Sequence, residues 1–121
     1  MRADFDRHGG HVIKAANELG VNPRTAVTMA AIESSFRPNA VSSTGATGLG
    51  QFTSGTWLDR VRLAEHPELK ALKKLSREEQ LQHRRDPRLN ALALAENMIS
   101  AEKRIQNAFK LNNINSRVTP A

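Results

Sequence analysis

The chain has 121 residues, enough for one small domain with a single core and too few for two. Apolar residues make up 39% and charged residues 25%, which excludes a disordered or membrane-embedded chain. The formal net charge of +6 attracts polyanions such as nucleic acid, anionic lipid or the acidic bacterial wall, and the absence of cysteine excludes disulfides and thiolate metal sites.

Val12, Ile13, Ala16 and Leu19 form a stripe that predicts a first helix over residues 10–19, stopped by Gly20. Residues 1–8 lack the apolar run of a signal peptide, so a domain acting outside the cytoplasm needs delivery by a parent protein, a virion, a secretion machine or host lysis. Asn22-Pro23 reads as an N-cap followed by proline at the first helical position, opening a second helix that runs to about Phe36. Residues 39–50, rich in Ser, Thr and Gly, predict a small β-hairpin or irregular loop. Ser54 is the expected cap of a helix carrying Trp57, Leu58, Val61 and Leu63, and Pro67 interrupts that region. Ser76 and Glu79 have capping-box spacing, and Asp86-Pro87 opens a long last helix whose period fades near Phe109. The polar residues 112–121 read as a tail or linker after a domain of residues 1–111. The expected fold is mostly α, with one glycine-rich excursion and no stretch long enough to span a membrane.

Glu33 closes the uncharged stretch 25–32 and shares a helical line with Ala26, Met29 and Ala30. A carboxyl held against such a surface loses hydration, which favours the protonated form that a general acid needs. Lysozyme's catalytic glutamate, kept protonated by an apolar pocket, works by the same logic. The competing reading is a solvated helix-end carboxylate paired with Arg37.

Glu33-Ser34, Pro38-Asn39-Ala40, Ser42-Ser43, Gly45-Ala46-Thr47-Gly48-Leu49 and Gln51 form an ordered string. It resembles the active-site core of the soluble-lytic-transglycosylase family, and Asp86-Pro87-Arg88-Leu89-Asn90 resembles the start of that family's next long helix. The resemblance implies a lysozyme-like helical fold with the excursion beside a cleft. It implies cleavage of the β-1,4 bond between N-acetylmuramic acid and N-acetylglucosamine, without metal or cofactor. Glu33 is then the acid and subsequently the base, and Ser34, Gly48, Leu49, Gln51 and Asn90 are the substrate-binding set. Helix capping for Ser34 and core packing for Leu49 remain the alternatives.

No Asp or Glu occurs between Phe36 and Leu58, so the loop offers no second carboxylate. Intramolecular attack by the muramic 6-hydroxyl, giving a 1,6-anhydro product, fits that lack, whereas Asp59 or Asp86 folding back would permit hydrolysis. The family pattern continues into an Ala-Tyr-Asn segment, and this chain contains no tyrosine. A fragment of a longer protein, a divergent member similar to phage virion-associated domains and a non-catalytic wall-binding or virion structural domain are the resulting alternatives. Lys70, Lys73, Lys74, Arg77, Arg84, Arg85 and Arg88 form a basic segment, read either as a hold on the anionic wall or as a solvated face. The four histidines lack metal spacing, and no nucleic-acid partner is expected.

Overall fold

The computed structural model describes residues 2–118, with side chains through 112. Six α-helices occur among them: α1 (Arg2–Leu19), α2 (Pro23–Ser34), α3 (Ser54–Arg62), α4 (Pro67–Lys70), α5 (Arg77–Gln82) and α6 (Pro87–Val118). Single 3-10 turns at Ala71–Lys74 and His83–Arg85 lead from α4 towards α5 and from α5 towards α6.

Helix α1 begins eight residues before its expected start, running through Gly9-Gly10. The reason is packing: the ring of Phe5 lies where a Cβ on Gly9 would be, and it meets Phe36 edge-on at 5.1 Å between centroids. Gly20 ends the helix at φ +73, with the Val21 N–H donating back to the Ala16 carbonyl at 2.8 Å. The Asn22 cap is present, its Oδ1 accepting from the N–H groups of Arg24 and Thr25 at 2.9 and 3.3 Å.

Helix α2 stops at Ser34, two residues short of expectation, because Ser35 and Phe36 both adopt left-handed backbone at φ 52 and φ 61. Two consecutive non-glycine residues there carry strain, which burial of the Phe36 ring in the core offsets. Thr53, not Ser54, caps α3: its side chain lies three residues before the Thr56 N–H that it accepts from. Pro67 both ends the preceding run and opens α4, with His66 as cap. The capping box at Ser76 and Glu79 is formed in both directions.

Helix α6 is the axis of the domain. Residues Asn90 through Glu96 are all buried, because α1 and α2 pack on one side and α3, α4 and the His83–Arg85 turn on the other. Ala91, Leu92, Leu94 and Ala95 join the cluster around Val12, Ala16, Ala30 and Leu49; Ala93 joins Trp57, Val61, Leu69 and Leu72. A helix enclosed on both sides must be apolar all round, and its alanines let the neighbours approach. Trp57 ties α3 to α5 by donating its indole N–H to the Gln80 carbonyl at 2.6 Å. Beyond Ala101 the helix leaves the core, exposing Ile105, Phe109 and Leu111. Of the expected tail 112–121, the backbone is helical to Val118, and residues 119–121 lie outside the described residues. No helix among the described residues is long and apolar enough to cross a membrane.

Arg88, at the start of α6, clamps three elements together. Its Nη2 donates to Glu18 of α1 at 2.8 Å and its Nε to Glu68 of α4 at 3.1 Å, while His66 Nε2 lies 3.1 Å from Glu18. The Arg88 hydrogen bonds hold both carboxyls below the usual carboxylate range, with His66 adding to the effect on Glu18. Carboxyls depressed in the folded state add stability that is complete above their unfolded values and vanishes as pH falls through the folded ones. Thermal melts of wild type and Arg88→Ala should therefore differ most near about pH 7, and the gap should narrow near about pH 3.

Candidate active site

Three helices and a loop enclose a cleft of about 930 Å³. Thr25, Met29 and Glu33 line it at four-residue spacing along α2; Thr56 and Arg60 of α3 with Leu63 just after it, and Leu94, Met98, Ala101 and Ile105 of α6, line it at spacings of three or four. Gly50, Gln51 and Phe52 supply the loop edge.

Glu33 sits in the last turn of α2, one residue removed from the left-handed pair Ser35 and Phe36 that ends the helix. The expected desolvation by α2 is not found: Glu33 is exposed, because its face opens onto the cleft instead of packing. The expected Arg37 partner is also displaced, since the turn carries Arg37 off the helix, where its Nε donates to the Ser34 carbonyl at 3.4 Å. Among the described residues no cation lies within ion-pair distance of Glu33.

The segment after α2 is an irregular loop with isolated antiparallel bridges, Val41 to Thr47 and Thr47 to Phe52. Thr47 and Phe52 exchange both backbone hydrogen bonds, at 2.9 and 3.0 Å, and the Ser42 Oγ accepts from the N–H groups of Thr44 and Ala46. Asn90 pins this loop to α6. It is fully buried, accepts from the Gly50 N–H at 2.8 Å, and donates to the carbonyls of Arg84 at 2.8 Å and Thr47 at 3.4 Å. Arg84 adds a clamp from the other side, donating to the carbonyls of Leu81, Gly45 and Phe52. Partial burial, then the neighbouring Arg85 charge, lowers its affinity for a proton. Gly48 is caught between these anchors at φ +89, where a Cβ would meet both the Arg84 carbonyl and the Asn90 amide.

Gln51 lies at φ 53 with its Nε2 donating to the carbonyls of Ala40 and Gly48 at 2.9 and 3.1 Å. Both amide protons are thus spent on the loop, leaving Oε1 as its acceptor towards the cleft. The structure therefore brings Glu33 and Gln51 to one cleft, with Gly50 between the loop and α6. Ser34, Gly48, Leu49 and Asn90 stand behind it. Ser34 is buried and its hydroxyl bonds the Ala30 carbonyl at 3.1 Å, and Leu49 lies wholly within the core.

The transglycosylase SLT domain matches residues 10–114. The chain belongs to that family. No curated protein and no solved structure matches it. Membership in the SLT family gives the domain peptidoglycan as its substrate and lytic-transglycosylase-type cleavage of the wall as its function.

Several residues of the SLT cleft escape inspection of the motif string. Asp59, Arg60, Asn97 and Ser100 line it, as does Glu102, so carboxylates reach the cleft from α3 and α6 although the loop has none. For Asp59, Arg60 and Asn97 the signal was helical spacing, 56/59/60/63 and 94/97/98/101/105, but only the packing of α3 against α6 shows that those faces converge. Asp86 stays away and caps α6, accepting from the Leu89 N–H at 3.0 Å. Of the basic segment, Arg84 and Arg88 are committed to the fold, and Lys70, Lys73, Lys74, Arg77 and Arg85 are exposed.

Asn90→Ala strands a buried N–H and two carbonyls, so chemical denaturation should show a loss of about 2–4 kcal/mol. Gly48→Ala should cost at least about 2 kcal/mol in the same assay, from backbone strain and the collision with the Asn90 amide.

Proposed function

We propose that Glu33 is the catalytic acid and base of a lytic transglycosylase that cleaves the MurNAc-β-1,4-GlcNAc bond. The observation that carries this reading is the position of Glu33: a carboxyl without a cation partner among the described residues, at the end of α2, on the wall of the cleft of an SLT domain. Protonated Glu33 donates to the glycosidic oxygen as the bond from the muramic C1 breaks. The resulting carboxylate then accepts the proton of the muramic 6-hydroxyl as that oxygen closes onto C1. A 1,6-anhydro end results, no water is consumed, and Glu33 returns protonated.

Gln51 Oε1 accepts from a sugar hydroxyl, and Gly50 lets the saccharide approach the loop backbone. Ser34, Gly48, Leu49 and Asn90 support these contacts from behind. Asp59 on the α3 wall favours a second reading, hydrolysis, in which it activates water across the bond.

Mass spectrometry of fragments released from purified sacculi separates these readings. Products one water lighter than hydrolysed muropeptides, reduced at least about a hundredfold in Glu33→Gln, are expected. Hydrated products sensitive to Asp59→Asn would make the enzyme a muramidase. Binding without any release would make this chain a wall-binding domain.

A further inference from the structure

Arg60 lines the cleft and yet is only 8% exposed. Its Nη1 donates to Asn97 Oδ1 at 3.1 Å and Ser100 Oγ at 3.2 Å, and its Nη2 donates to the Leu63 carbonyl at 3.4 Å. Glu96, equally buried, lies 3.6 Å from the Arg60 Nε and accepts from the backbone N–H groups of Glu65 and His66. The guanidinium is thus held in place from beneath, and its outer edge grips two side chains of the α6 wall.

This grip has a direction. A guanidinium only donates, so the Asn97 atom facing it is the amide oxygen, and the Nδ2 protons turn away. Ser100 Oγ likewise accepts, and its own proton has no partner among the described residues. Asn97 and Ser100 are three residues apart on α6, and both line the cleft. The wall therefore offers hydrogen-bond donors. Leu63, next to them, and Ile105, a turn further along, expose apolar surface into the same cleft.

We propose that Asn97 and Ser100 bind the carbonyl oxygen of an N-acetyl group of the glycan strand, with Arg60 as their positioning residue. An acetamide matches both features, its oxygen accepting from the donors and its methyl resting on Leu63 or Ile105. A sugar hydroxyl has no methyl to place there. The proposal rests on reading the cleft as the peptidoglycan site.

The test is calorimetric titration with a β-1,4-linked tetramer of N-acetylglucosamine, which carries acetamides and no peptide. All variants are made in Glu33→Gln, so nothing is turned over. Asn97→Asp keeps the acceptor for Arg60 but exchanges the donors for a charged oxygen; it should weaken binding at least about tenfold without changing the melting temperature. Ser100→Ala should weaken it about threefold to tenfold. Arg60→Lys should weaken binding in the parent but add little on top of Asn97→Asp, a coupling that general destabilisation does not produce. Equal affinities of Asn97→Asp and its parent would overturn the proposal. So would binding of sacculi but not of the tetramer, which moves the contact to the peptide stems. Fragment release by the chain with Glu33 intact is scored separately, so loss of the catalytic reading leaves this comparison interpretable.

Discussion

The structure depends on one buried length of helix, Asn90 through Glu96, and on the polar residues at its two ends. Between them, Ala91, Leu92, Ala93, Leu94 and Ala95 are small or aliphatic enough to be enclosed by helices on both sides. Neither Asn90 nor Glu96 reaches bulk water, so each must find partners inside, and each finds them in irregular backbone. Asn90 takes an N–H and two carbonyls around the loop, and Glu96 takes the N–H groups at the junction of α3 and α4. A single helix thereby sets the positions of two segments that have few regular hydrogen bonds of their own.

Rigidity behind the cleft and exposure within it are complementary. Gly48, Leu49 and Asn90 make the loop a fixed edge, and the left-handed turn at Ser35 and Phe36 fixes where α2 ends. Glu33 is left without a cation partner among the described residues, on an open wall of a cleft whose other walls carry amides, hydroxyls and apolar surface. Such an arrangement suits a polymer of amphipathic sugars, because the polar groups that would be costly to move are already held. The cations Lys70, Lys73, Lys74, Arg77 and Arg85 lie outside this cleft and belong to the solvated surface around α4 and α5.

Much of this was legible in the chain itself. The Asn22 cap, the Gly20 stop, the Ser76 capping box and the opening of α6 at Pro87 follow from local chemistry, and all are present. The ordered string from Glu33 to Gln51 identified the family and the segment around the cleft. Errors arose where distant packing overrode local preference. The apolar stripe starts the first helix at residue 10 until Phe5 is seen to pack over Gly9 against Phe36, and Ser54 looks like a cap until the turn places Thr53 there.

The sequence by itself therefore determined the helical class, most helix ends and the family string from Glu33 to Gln51, because caps, turns and periodicity act over a few neighbouring residues. Only the tertiary structure decided how those residues divide their work. Asn90 and Ser34 are polar, but burial commits their hydrogen bonds to the fold, whereas Glu33 and Gln51 both line the cleft. Arg60, Asn97 and Ser100 belong to no contiguous motif. They come together because α3 crosses α6, and a hydrogen bond between residues about forty positions apart has no local signature.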